Sequence, residues 1–521
     1  MNNRFSAVLL TVVLHVFYTA SPVSCTAAAH AVTMKPKLLL VIVADQFRYD
    51  YLTRFSADYK SGLRQLQKNG ASFLNARYEH FPTYTSVGHA ALLSGAYPGI
   101  SGIVGNTWYD RDSGKMVSSA ADSSVRLVGG SEGSGSSPHN LLVSTIGDEM
   151  KIASQGRSRV FGISLKDYSG ILATGHMADA VYWFDSKVGN FVTSTYYRSN
   201  LQEWANAFNL RRPADRFKGA EWLGTKMPDE TNSRLYGMLQ FAPFGNELIE
   251  EMAEAAIRAE KLGSDADTDL LVLSFSSNDF VGHRYGPDSS QVRDISLAMD
   301  KVLGQLFRFV DSQIGMENVS VVFTSDHGVA PMLETNNARK MPGGRMDFTV
   351  VLEAMQKAIV KKFGEGKWIV STPEDSVYLN WDLIDEKGLS LAEVAAVAAK
   401  AALKIPHVSR VYTREQLLNG TASDDMVGRR LMRSYSARRS ADLYILPDPY
   451  YMFLKTNTTH GTPYGYDTHV PLIIMGPGIK AGKFNSATAI NDIAQTLAAI
   501  LDIEPPSGAE GRILSEIFIL P

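Results

Sequence analysis

A chain of 521 residues with 45% hydrophobic and 20% charged side chains has the composition of an ordinary folded protein. Its 51 basic and 54 acidic residues leave a formal charge of −3, so no basic field favours a nucleic-acid partner. The length admits either several domains or one elaborated α/β domain.

The chain opens MNNRFSAVLLTVVLHVFYTASPVSCTAAAHA. Arg4 precedes an apolar run from Ala7 to Tyr18, and small residues follow, which is the pattern of a signal peptide over residues 1–30. The run is too short and too interrupted for a transmembrane helix. Export to the periplasm or the medium is expected, without stable membrane insertion. Cys25 is the only cysteine and falls in the expected cleavage zone. The mature chain, residues 36–521, is therefore expected to have no disulfide and no thiolate metal site.

Four apolar runs read as buried strands: LLLVIVA (38–44), LLVLSFS (270–276), VSVVFTS (319–325) and VPLIIMG (470–476). Helical patterns lie between them, including NELIEEMAEAAIRAEK (246–261) and SLAMDKVLGQLFRFVDS (296–312). Non-alternating strands separated by helices predict an α/β fold, a mostly parallel sheet covered on both faces. Two stretches break this rhythm and read as insertions. The first, about 107–240, is rich in Trp, Tyr, Gly and Ser, with GGSEGSGSS (129–137) as a loop. The second, about 340–455, carries a helical LAEVAAVAAKAALK and a basic run, GRRLMRSYSARR, that reads as a solvated face.

Three of the strands run straight into polar residues. The first ends at Asp45, the second at Asn278 and Asp279 with His283 four further on, and the third at Asp326 and His327. Ligands of an open α/β sheet gather outside the carboxyl ends of its strands, so these groups are expected to converge. Asp279 and His283 share one side of a helical turn. Oxygen and nitrogen donors without sulfur suit zinc and also accept manganese.

In FPTYTSVGHAALLSG (81–95), Pro82 and the residues after Thr85 read as a helix start. A hydroxyl there meets the positive end of the helix dipole, and the N–H groups favour an anion such as phosphate. Thr85 is thus a candidate nucleophile; its alternative role is an N-cap.

VIVADQFRYDYL, FPTYTSVGHAALLSGAYPGISGIVGNTWYD, SSNDFVGHRYGP, VVFTSDHGVAPM and THGTPYGYDTHVP together resemble the alkaline phosphatase superfamily. The similarity is to the phosphate-irrepressible, monomeric bacterial alkaline phosphatases, relatives of the nucleotide pyrophosphatase/phosphodiesterases. The resemblance implies a three-layer α/β/α sandwich with inserted cap segments. It also implies two zinc ions, one held by Asp45, Asp326 and His327 with Thr85 close by, the other by Asp279, His283 and His460. His469 is the alternative to His460, and His89 is expected to be packed or hydrogen-bonded rather than a ligand. Thr85 would form a phosphothreonine that water then hydrolyses. Asn106, 21 residues after Thr85, matches a phosphate-binding asparagine, and Lys166 matches the lysine of the monoesterase branch. That branch follows its lysine with Asp and Arg, whereas this chain has Tyr168 where the arginine is expected.

The expected function is an exported phosphomonoesterase acting, as a monomer, on small phosphate esters. Tyr168 keeps a phosphodiesterase or nucleotide pyrophosphatase open, and a non-enzymatic phosphate- or metal-binding protein is the reading from another class.

Overall fold

The computed structural model describes residues 35–519. The expected export segment, residues 1–30, lies outside the described residues.

Eleven strands form the central sheet: β1 (Leu38–Ala44), β2 (Ala71–Phe73), β3 (Ala121–Val128), β4 (Ser134–Ser136), β5 (Val160–Ser164), β6 (Ala180–Asp185), β7 (Asn190–Ser194), β8 (Asp269–Phe275), β9 (Val319–Thr324), β10 (Leu472–Met475) and β11 (Gly482–Phe484). Their order is β11-β2-β10-β9-β1-β8-β5-β6-β7-β3-β4. The centre, from β9 through β1, β8 and β5 to β6, is parallel. Beyond it β10 runs antiparallel to both β9 and β2, and β7, β3 and β4 continue antiparallel on the other side. The sheet is therefore mixed, and the expectation of a mostly parallel one holds for its middle only.

Alternation along β1 separates the two layers of the core. Leu38, Leu40, Ile42 and Ala44 pack on one face with Leu248 and Ile249 of α3 (Phe244–Glu260) and Leu303 and Leu306 of α5 (Ser290–Ile314). Leu39, Val41 and Val43 pack on the other with Leu92 and Leu93 of α1 (Thr85–Ser94) and Ile493 and Leu497 of α8 (Asp492–Leu501). Helices on both faces of one sheet make the three-layer α/β/α sandwich. Every residue of β1 is buried because both faces are covered. Two shorter helices carry further site residues: α2 (Asp167–Thr174) follows β5, and α4 (Ser277–Tyr285) follows β8.

The stretch between 107 and 240 supplies β3 to β7 to this sheet, and Ser134–Ser136 of the glycine- and serine-rich segment is strand β4 rather than loop. Residues 348–447 build a second, four-stranded sheet of Ile369–Ser371, Ser376–Leu379, Leu443–Pro447 and Val408–Thr413. Helices α6 (Phe348–Phe363) and α7 (Leu391–Ala402) cover it around a separate apolar cluster that includes Val351, Met355, Trp368 and Val394. The basic run is solvated only in part: Arg429, Arg433 and Arg438 are exposed, whereas Arg430 and Arg439 turn inward. Arg430 is buried, donates to the Pro463 carbonyl and pairs with Glu79. Arg439 lies over the Trp108 ring and donates to the carbonyls of Gly102 and Asn140. Those arginines fasten the second sheet's region to the sandwich.

Candidate active site

The carboxyl ends of β1, β8 and β9 lie side by side, so the residues that follow them meet at one place. Asp45 follows β1. Asp279 and His283 lie one turn apart on α4, with His283 Nε2 3.1 Å from Asp279 Oδ1. Asp326 and His327 follow β9, and the His327 Nε2 lies 3.4 Å from both Asp45 Oδ1 and Asp326 Oδ2. His460 arrives from a loop, its ring stacked on His327 at 3.5 Å and its Nε2 3.9 Å from Asp279 Oδ1.

Three imidazoles are held in one tautomeric arrangement. The Nδ1 of His283, His327 and His460 each meets a backbone carbonyl, of Thr458, Gly328 and Thr83, at 2.8, 2.9 and 2.8 Å. That turns each Nε2 toward the carboxylates, and the carbonyl bond at Nδ1 prepares each ring to ligate a metal. Burial, with His327 and His283 adding to it, pushes His460 well below the usual imidazole range. Burial also lowers His327, against the pull of Asp326. Both are therefore neutral, as a metal ligand must be.

Two groups of donors lie close enough to hold an ion: Asp279, His283 and His460, and Asp45, Asp279 and His327. The carboxylates are buried to within 4% and two of their oxygens, Asp45 Oδ1 and Asp326 Oδ2, make no hydrogen bond. Buried carboxyl oxygens without a hydrogen bond fit a cation site, and the oxygen–nitrogen donor set fits zinc. Asp326 adjoins the second group through His327 and also accepts from the backbone N–H of Gln46. Burial, then Asp326, raises the Asp45 carboxyl well above its usual range. Asp279 moves the other way: burial opposes its charge, but Lys166 and His283 outweigh it.

Thr85 is the first residue of α1 and is 2% exposed. Its hydroxyl lies 3.2 Å from His327 Nε2, beside the donor group of Asp45, Asp279 and His327. Tyr84, not Thr85, occupies the N-cap, and no side chain closes that end. The first turn is instead met by Asn106, whose carboxamide oxygen accepts from Ser86 N–H at 2.8 Å, leaving the amide NH2 as the end that can donate to a ligand. Close packing is possible because residue 88 is glycine: a Cβ there would lie 2.3 Å from the Asp326 carbonyl oxygen.

Lys166, just ahead of α2, brings its ammonium 2.7 Å from Asp45 Oδ2 and 2.8 Å from Asp279 Oδ2. Burial opposes that charge, but Asp279 and Asp45 raise it well above the usual lysine range. Tyr168 lies two residues on and half-buried, packed with the apolar groups around Ile171 and Phe81. His89 is packed and hydrogen-bonded, as expected. Its Nδ1 is 2.9 Å from Thr85 O and 3.2 Å from Asp326 Oδ2, and Nε2 meets Ser274 Oγ. His469 is engaged elsewhere, stacked on Tyr49 and bonded to the Leu74 carbonyl.

Two residues at this place carry no signal in the sequence reading. Gln46 follows Asp45 in left-handed backbone, φ 61°, and its side-chain amide donates to Asp279 Oδ1 at 2.5 Å. Its position directly after a strand-end aspartate was the available clue. Ser325 accepts from Phe47 N–H and donates to the His327 carbonyl, tying the ends of β1 and β9 together.

A family model described as type I phosphodiesterase / nucleotide pyrophosphatase matches residues 39–470. Alkaline phosphatase PhoV of Synechococcus elongatus is 34% identical, with 93% of each chain covered. Alkaline phosphatase PafA of Elizabethkingia meningoseptica is 33% identical over 93% of this chain and 94% of its own. Its crystal structure superimposes with a TM-score of 0.87 over 93% of this chain and 99% of that one. A variant of PafA has also been solved, substituted at a threonine, at an asparagine 21 residues later, and at a lysine and an arginine two apart. No helix among the described residues is long and apolar enough to cross a membrane. The chain belongs to the type I phosphodiesterase / nucleotide pyrophosphatase family and, within it, to the alkaline phosphatases, which are phosphoric ester hydrolases.

Proposed function

We propose that the protein is an exported phosphomonoesterase in which Thr85 receives the phosphoryl group of a small phosphate ester. Two zinc ions would be held by Asp45, Asp326 and His327 beside Thr85, and by Asp279, His283 and His460. The observation that carries this reading is the Thr85 hydroxyl, 3.2 Å from His327 Nε2, a member of one of the two donor groups. Zinc bound there supplies Lewis-acid charge to the attacking and leaving oxygens.

The side chains do the rest. The Thr85 oxygen attacks phosphorus in line as its proton is lost to solvent, and the leaving oxygen departs with the electrons of the broken P–O bond and takes up a proton to become the alcohol. Water then cleaves the phosphothreonine, which restores Thr85 and releases phosphate. The Asn106 amide donates to a phosphoryl oxygen. The Lys166 ammonium offsets the second negative charge that a monoester has and a diester lacks. The spacing of Thr85 to Asn106, and of Lys166 to Tyr168, repeats that of the residues substituted together in the PafA variant. The stretches at about 107–240 and 340–455 are proposed as insertions in one catalytic domain, working as a monomer without a nucleic-acid partner.

A second reading rests on Tyr168, which stands where PafA has an arginine. A phenol gives one neutral hydrogen bond in place of a charged fork, so a phosphodiesterase preference is the alternative.

Hydrolysis of an aryl phosphate monoester and the matching diester separates them. Zinc-loaded protein should favour the monoester, chelated protein and Thr85→Ala should lose turnover, and purified protein should carry about two zinc ions per chain. Full activity in Thr85→Ala removes that residue from the chemistry, and a diester preference selects the second reading.

A further inference from the structure

The segment Ser371–Ser376, far from the sandwich in sequence, bends through two consecutive left-handed residues that are not glycine, Glu374 (φ 50°) and Asp375 (φ 60°). Side chains with a Cβ rarely adopt this backbone, and such residues persist where their surroundings impose it. The surroundings here are the phosphate-binding elements. The Glu374 carboxylate accepts from the backbone N–H of Asn106 at 3.3 Å with one oxygen and of Thr107 at 3.2 Å with the other. The Glu374 carbonyl accepts from the Tyr84 hydroxyl at 2.9 Å. Tyr84 immediately precedes Thr85.

One residue therefore grips both the segment that presents the nucleophile and the loop that presents the amide. Gly105 makes the grip possible, since a Cβ there would lie 2.4 Å from Glu374 Oε2. Asn106 completes the circuit by accepting from Ser86 N–H. The grip is also maintained against burial, which pushes the Glu374 carboxyl up to about 8 despite the two N–H donors. A small cavity of about 40 Å³ lies against the same turn, lined by Tyr84, Glu374, Asp375 and His460 among others.

Resting on the reading that Asn106 binds a phosphoryl oxygen, we propose that Glu374 is a positioning residue for the reaction. It sets the distance between the Asn106 donor and the Thr85 oxygen, and through it the region of the second sheet controls the geometry of phosphoryl transfer.

A double-mutant cycle tests this. Glu374→Ala and Glu374→Gln are made in the wild-type and in the Asn106→Ala backgrounds, and kcat and KM are measured with an aryl phosphate monoester. In the wild-type background Glu374→Ala should lower kcat/KM about tenfold or more, mainly through kcat, and Glu374→Gln, which keeps one acceptor, should recover part of it. In the Asn106→Ala background the same change should cost less than about twofold. Equal losses in both backgrounds, or no loss in either, overturn the proposal. If Glu374→Ala does not fold, Glu374→Gln carries the same comparison. If Asn106→Ala alone leaves kcat/KM unchanged, the reading of Asn106 falls; if Asn106→Ala is damaging and Glu374 is silent, only the present inference falls.

Discussion

Replacing Gly88 by alanine adds one methyl group where α1 packs against the turn after β9. The new Cβ would lie 2.3 Å from the Asp326 carbonyl oxygen, 2.8 Å from its Cβ and 2.9 Å from its carbonyl carbon. Ordinary contact begins near 3.4 Å, so either α1 or the turn after β9 must withdraw by about 1 Å. Both move groups of the proposed site, because α1 carries Thr85 and the turn carries Asp326 and His327. Alanine favours a helix over glycine by roughly 1 kcal/mol, whereas overpacking costs about 1–3 kcal/mol. Net destabilisation is then no more than about 2 kcal/mol, and the protein still folds. The rate is more sensitive, since a displacement of about 1 Å costs on the order of 100-fold. Steady-state kcat/KM with an aryl phosphate should fall by about that factor while thermal unfolding changes little. A Gly88→Ala enzyme within about twofold of wild type, with its zinc content intact, would refute the claim that this contact sets the distance from Thr85 to the metal-ligand cluster.

Gln46→Ala removes the amide that holds Asp279 Oδ1. Zinc affinity measured by competition with a chelator should weaken by about tenfold, within the range for outer-shell partners; an unchanged affinity would show that Gln46 does not orient Asp279. Tyr168→Arg supplies a charged fork for a phosphoryl oxygen, and the ratio of monoesterase to diesterase kcat/KM should rise by about tenfold; a constant ratio would exclude position 168 from substrate choice. His80 is fully buried with neither ring nitrogen hydrogen-bonded, and burial, with Arg430 and Arg433, pushes it down to about 3. The unfolded imidazole binds its proton near pH 6.5, so the stability conferred by the neutral native ring is full above that pH and is lost as pH falls from about 6.5 toward 3. Denaturant unfolding of His80→Phe should therefore lose less stability than wild type on acidification, by about 1 kcal/mol or more at pH 5; parallel profiles would contradict the assignment.

The buried strands were legible because both faces of the sheet are covered, so β1 is apolar throughout and β8 and β9 are mostly so. Their polar followers, Asp45, Asp279 and Asp326, were legible for the same reason: a sudden run of polar residues marks where a buried strand emerges. Strand direction was less accessible. VPLIIMG has the same apolar run as its parallel neighbours, and only its placement between β9 and β2 shows that it runs the other way. The basic run misled at two of its arginines because charge density says nothing about what packs against it; Glu79 and Trp108, far off in sequence, take up Arg430 and Arg439. Glu374 was invisible for a related reason: its partners are backbone N–H groups, which every residue but proline carries, so no pairing pattern in the sequence points to it.

Strand β1 lies in the middle of the sheet although it comes first among the strands in the chain, and its neighbours begin only at Asp269 and Val319. An emerging polypeptide therefore holds LLLVIVA unpaired until more than half of its length has been made. A chain stopped short of β9 would expose an apolar ribbon with open edges, a template for aggregation. Because Asp45, Asp279 and Asp326 follow these three strands, cation capture at the proposed site would wait until they are in register. Zinc uptake should thus report that the whole sheet has assembled, rather than start its assembly.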